Sequence, residues 1–204
     1  MPLADLQSAL ATLVSDYAAA GDLTVAAQDS LHRSDLTEAE RDWLRYLPAT
    51  QGFKVTCDIQ RWWRETRLRG VARLTLAALG SEQTTQILNE FLSTHPCVSL
   101  FFLPESLAFL NYVAGTVEHP HPAAIARFER ALIIAKEAAS QAEQTSDTQA
   151  TTIIEFASPP EELLAALLQN RELPEPGDAR FPVIVASFLP HFWQPVSSAA
   201  DESR

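Results

Sequence analysis

Chemistry on a protein chain needs groups that ligate, attack or exchange protons, set at workable spacings. Two pairs in this sequence have metal-ligand spacing, His95 with Cys97 and His119 with His121. Each supplies two ligands at most, whereas a structural zinc site closes with four and a catalytic one with three. The bland readings are a helix-ending turn for the first pair and a loop before Pro122 for the second. No Gly-rich phosphate loop, H-E-x-x-H motif or G-x-S-x-G nucleophile elbow occurs. Scattered acids and histidines do not form an acid–base pair without geometry. The expectation is a chain that holds no metal or other cofactor and catalyses nothing alone.

The denser grouping is of a binding type. Arg61, Arg64, Arg67, Arg69 and Arg73 stand against one acid, Glu65, beside the neighbours Trp62 and Trp63. Adjacent residues on a helix lie ~100° apart, so the tryptophans cannot share a face fully. One is expected to reach the core and the other a groove or interface. Tryptophan and arginine are enriched at interface anchors, which makes Trp62, Trp63, Arg64 and Arg67 candidate partner contacts. The alternative is a solvated face with local ion pairs and two partly buried tryptophans. A DNA-binding regulator is the competing class for an arginine cluster, but the net charge of −11 opposes it. Phosphate neutralisation needs a lysine/arginine surplus.

The elements that must carry these groups read mostly as helices. Leu3, Leu6, Leu10, Leu13, Val14 and Tyr17 recur at spacings of three and four before Gly21. Thr24–Arg33 reads as a connection. Thr37 and Glu40 make a capping-box pattern ahead of Trp43, Leu44 and Leu47, and Pro48 ends that helix. A helical pattern from Ala49 to Leu79, weakened at Gly52 and Gly70, stops at Gly80. Ser81 caps the next helix, another begins at Pro104, and a long one starts at His121-Pro122 with Ile125, Phe128, Leu132, Ala135 and Ala139 inward. Short loops between helices favour antiparallel packing. Residues 1–140 are therefore read as a helical bundle, 141–149 as a linker, and 150–197 as a small α+β domain, an α+β protein in all. The sequence has no secretory signal and no membrane-length apolar run, and its two cysteines are expected reduced and buried in a cytoplasmic protein.

In the tail, Thr151–Phe156 is β-branched and aromatic. A short helix follows Ser158-Pro159, with Leu163, Leu164, Leu167 and Leu168 on its buried face. Phe181–Phe188 reads as a second strand, covered on both faces because its apolar run is continuous. Two strands leave an open edge, and an open edge is a template for another chain. An extended peptide is expected there, preferentially along Phe181–Phe188. The candidate contacts are Phe181, Val183, Ile184 and Val185, with Ile154 and Phe156 on the other strand. The alternative is an edge already covered, by the bundle or by the tail from Gln194. From Gln141 onward three arginines face ten acids, which suits a basic peptide.

Several of these stretches occur in an order that resembles a known family. They are R-L-x-L-x-x-L-G at Arg73–Gly80, F-L-x-x-H-P-C-x-S from Phe91, F-x-x-Y at Phe109–Tyr112 and I-A-R-F-E-R-A-L at Ile125–Leu132. In the tail, I-I-E-F-A-S-P-P-E-E-L-L-A-A-L-L and F-P-V-I-V-A continue the likeness. Together they resemble the HvfC/BufC family, long labelled DNA-binding, over roughly Arg64 to Pro195. Trp43 and the Trp62-Trp63 pair depart from the commoner pattern and suggest a divergent branch. That branch is similar to the partner subunits of methanobactin or 3-thiaglutamate (TglI-like) biosynthesis. The resemblance implies a partner subunit of a TIM-barrel multinuclear non-haem iron oxidase. Such a subunit binds the leader of a ribosomally made precursor peptide and presents its cysteine, with the iron in the partner.

Overall fold

A computed structural model describes residues 3–21, 25, 28–29, 36–95, 102–142 and 151–196. It is mostly helical, with a small antiparallel sheet at its C-terminal end, so the α+β expectation holds. The chain divides into two compact units. One comprises Met1–Leu68 with Gln86–Glu105, the other Arg69–Thr85 with Ser106–Arg204. Most of Thr24–Arg33, residues 143–149 of the expected linker and Cys97 lie outside the described residues.

In the first unit, α1 (Leu3–Ala20) runs to Gly21, whose φ of 77° is costly for residues with a Cβ. The Gly21 amide donates to the Tyr17 carbonyl at 2.8 Å. Helix α2 (Glu38–Tyr46) opens on the expected capping box, with Thr37 N donating to Glu40 Oε2 at 2.8 Å and Glu40 N to Thr37 Oγ1. Bonding by the Thr37 hydroxyl, then by its amide, holds the Glu40 carboxyl below its ordinary range. Pro48 sits in a 3-10 turn, Leu47–Ala49, ahead of α3 (Gln51–Val71). Leu13 and Ala9 of α1, Leu44 of α2, and Phe53 and Cys57 of α3 share one core. The Tyr17 ring meets Phe53 edge-on at 5.4 Å.

In α4 (Arg73–Thr94) the helical path breaks at Gly80, with φ 75° and ψ 173°. The stretch expected to be helical from Ala49 to Leu79 is also interrupted at Ala72, between α3 and α4. Gly80 itself ends one helical path and opens another, as the glycine predicts. Thr84 Oγ1 donates to the Leu76 carbonyl across the break at 3.0 Å. Then come α5 (Phe102–Thr116) and α6 (Pro120–Ala142); Gln141 and Ala142, read as linker, belong to α6.

The sheet of the second unit has the order β1-β2-β3, all antiparallel, with β1 Thr151–Phe156, β2 Phe181–Ala186 and β3 Trp193–Pro195. Helix α7 (Pro160–Leu168) lies between β1 and β2 in sequence. One face of the sheet is buried. Ile154, Phe156, Val183 and Val185 join Ile125, Phe128 and Ala135 of α6 and Leu163 of α7 in a single core. Phe128 meets Phe156 and Trp193 edge-on, at 5.8 and 5.5 Å. Each large side chain so buried contributes roughly 1.5–3 kcal/mol. The sheet therefore does not stand as an isolated hairpin, which is marginal in water. The long helix α6, read as the last of the bundle, supplies the floor on which 151–195 folds. The opposite sheet face is not fully covered: Ile153 is 63 % exposed and Ile184 half-buried. The expectation that β2 is covered on both faces is corrected accordingly.

Candidate interaction sites

Each strand residue directs its amide and carbonyl to one neighbour, and the side alternates along an antiparallel strand. Ala186 N donates to Phe192 O at 2.9 Å and Val196 N to Pro182 O at 2.9 Å, so the even residues of β2 face β3. Phe181, Val183 and Val185 then face β1, opposite Phe156, Ile154 and Thr152. The outer edge of β1 is left to Thr151, Ile153 and Glu155. Among the described residues no strand pairs with it. Pro182, which has no amide hydrogen, sits where only its carbonyl is used.

This geometry corrects the expected peptide edge. Strand β2 is central, with β1 on one side and β3 on the other, so Phe181–Phe188 offers no open edge. The tail covers it: Gln194 pairs with Ile184 and Trp193 with Val185. The side chains of Val183, Val185, Ile154 and Phe156 are buried in the core and cannot touch a ligand. What remains accessible is the β1 edge, the exposed Ile153, and its half-buried cross-strand neighbour Ile184.

The arginine helix divides the other candidates. Its inward face is Phe53, Cys57, Arg64 and Leu68. Arg64 is 5 % exposed, donates from Nε to Glu105 at 2.5 Å and from Nη2 to the His95 carbonyl at 2.6 Å. It ties α3 to the end of α4 and the start of α5, and it is not a surface contact. Arg61 also bonds within the unit, to the Ala18 carbonyl and Asn89 Oδ1, both at 3.0 Å. Trp62 and Trp63 are both outward, 58 % and 49 % exposed, with ring centroids 5.0 Å apart. Neither reaches the core, against the expectation for one of them. Arg67 lies over the Trp63 ring at 5.8 Å, within cation–π range. Val55 and Ile59 are exposed on the same side.

The candidate ligands His95, His119 and His121 make contacts within the fold. His121 is buried, with Nε2 2.7 Å from the Pro174 carbonyl. A carbonyl can only accept, so Nε2 donates, while Nδ1 meets no partner among the described residues. His119 Nδ1 accepts from the His121 amide at 3.3 Å. His95 stacks on Phe91 at 4.4 Å. Among the described residues no three potential ligands converge. Cys57 is a free, buried thiol. Desolvation, then the neighbouring Asp58 charge, pushes it up to about 11, so it is held as the unreactive thiol.

One feature escaped sequence reasoning. A cleft of about 430 Å³ in the second unit is lined by Arg73, Leu74, Glu129, Leu132, Lys136 and Leu167, among others. Glu129 is buried there, and its two carboxylate oxygens accept from the Leu74 and Thr75 amides at 2.9 Å each. It caps the first turn of α4, where a carboxylate is favoured by the helix dipole. Desolvation nevertheless raises its pKa, the hydrogen bonds opposing. Both oxygens are committed to the backbone, so the group is a cap and not a free acid or base. Nothing in the sequence links Glu129 to Leu74 and Thr75.

No helix among the described residues is long and apolar enough to cross a membrane. No known family profile and no curated protein matches the chain.

Proposed function

We propose that this chain is a non-catalytic partner subunit of a multinuclear iron-dependent oxidase. It binds the leader of a ribosomally synthesised precursor peptide and presents the peptide's cysteine for oxidative modification. The iron belongs to the partner. The observation that carries the recognition step is the outer edge of β1. It is six residues long, contains no proline, and bears Glu155 as its only charge. An extended peptide added there gains backbone hydrogen bonds from Thr151, Ile153 and Glu155, with selectivity from side-chain contacts. Ile153 offers an apolar contact on the open face, and the acidic surroundings of the tail favour a basic leader. The partner and the cysteine chemistry come from the family resemblance. A DNA-binding reading is weakened because Arg61 and Arg64 are used inside the protein.

The test is anisotropy of a fluorescent peptide matching the leader of any cysteine-bearing precursor found encoded beside the gene. Ile153→Pro removes an outward donor without touching the β1–β2 ladder. One hydrogen bond nets about 0.5–1.5 kcal/mol, so the loss should be several-fold up to about tenfold relative to Ile153→Ala. Circular dichroism of the two variants should match. Equal affinities for Ile153→Pro and Ile153→Ala would sink the edge-docking reading.

A further inference from the structure

Helix α3 carries two faces of apolar character on opposite sides, and only one is packed. At ~100° per residue, Phe53, Cys57, Arg64 and Leu68 cluster on one side. Val55, Ile59, Trp62 and Thr66 cluster on the other, with Trp63 and Gly52 beside them. The second group is exposed throughout. Its spacing, four, three and four residues, is that of a seam against which another helix packs. Contiguous exposed apolar patches of this kind mark interaction sites. Gly52, in the first turn of α3, adds no side chain to this face, and the place where its Cβ would stand is open.

The flanks say what approaches. On one side of the stripe Lys54 and Arg69 balance Asp58 and Glu65. On the other stand Thr56, Gln60 and Arg67, with no carboxylate. Arg67 is exposed and held over Trp63, and among the described residues no carboxylate lies within ion-pair distance of it. In a chain of net charge −11, this leaves a local positive group beside an apolar seam. We infer that the outward face of α3 docks an amphipathic helix of a partner protein, its apolar stripe against Val55, Ile59 and Trp62 and an acidic flank against Arg67. This surface shares no residue with β1, and its occupancy does not depend on the peptide reading of the sheet.

The experiment uses the full chain and two labelled designed helical peptides with the same leucine stripe, one flanked by glutamate and one by lysine. The glutamate peptide should bind at least about tenfold more tightly. Arg67→Glu should reverse that preference. Ile59→Ser and Trp62→Ser should each weaken binding about tenfold or more without shifting the melting temperature. Gly52→Gln should leave folding intact, because the side chain enters open space, yet block the glutamate peptide. Failure of the glutamate peptide to bind, equal binding of both, or undiminished binding by Gly52→Gln overturns the inference. So does sedimentation showing a dimer that Ile59→Arg dissolves, which assigns the face to a second copy. Leader binding measured on the same variants distinguishes the two surfaces: it should persist in all of them if β1 is the leader site.

Discussion

Removing the Glu105 carboxylate tests most sharply how Arg64 is used. Both side chains are nearly sealed from solvent, at 6 % and 11 % exposure, and the guanidinium also donates to the His95 carbonyl. Breaking such a pair from one side leaves a buried charge uncompensated and costs ~3–5 kcal/mol. Glu105→Ala should therefore destabilise by ~3 kcal/mol or more. At roughly 2–4 °C per kcal/mol for a chain of this size, the melting point should fall by about 6–12 °C. Glu105→Gln keeps an acceptor for Arg64 Nε and should lose less. The Arg64→Met/Glu105→Met double variant removes both charges and should recover most of the loss, short of what losing the Arg64 bond to the His95 carbonyl costs, about 0.5–1.5 kcal/mol. Urea unfolding followed by circular dichroism measures all four proteins. If Glu105→Ala and Glu105→Gln both lie within about 0.5 kcal/mol of the parent, a value typical of exposed sites, the pair is not desolvated. Arg64 would then return to the surface as a partner contact.

Three further outcomes follow from the same geometry. Glu129 has a folded pKa raised above its unfolded one, so its contribution is present below the unfolded value and is lost as pH rises through the folded value. The stability of the parent minus that of Glu129→Gln should thus fall as pH climbs from about 4 toward neutrality, and a difference that rises would refute the burial argument. In a Cys97→Ser background, Cys57, pushed up to about 11, should resist a thiol reagent at pH ~8 until denaturant is added. Thr37→Ala should cost ~1 kcal/mol through loss of the α2 cap, and an unchanged urea midpoint would show the box to be idle.

The local signals were legible and the long-range ones were not. Thr37 with Glu40, the break at Gly80, and the strands read at Thr151–Phe156 and Phe181–Phe188 all follow from short-range chemistry, and the structure has them, the second strand ending at Ala186. Strand β3 was hidden because three residues ending in Pro195 carry no alternation. It forms because the turn after Ala186, with Phe192 at φ 63°, folds the chain back along β2. That hidden strand is why the peptide edge moves from β2 to β1. Arg64 reads as a surface residue on a helix because its partner, Glu105, lies 41 positions away. Glu129 and the amides it caps are 54 and 55 positions apart. The outward tryptophans were visible as a candidate interface, but their shared exposure was not, since neighbours on a helix were expected to divide between core and surface.

The central claim is that a peptide adds to the outer edge of β1, and amide hydrogen exchange reads that edge directly. With saturating leader peptide, the account predicts that the amides of Ile153 and Glu155, which point away from β2, change from fast to protected exchange. Ile154, already bonded in the ladder, should change little. A leader that binds while Ile153 and Glu155 exchange as fast as in the free chain would contradict it.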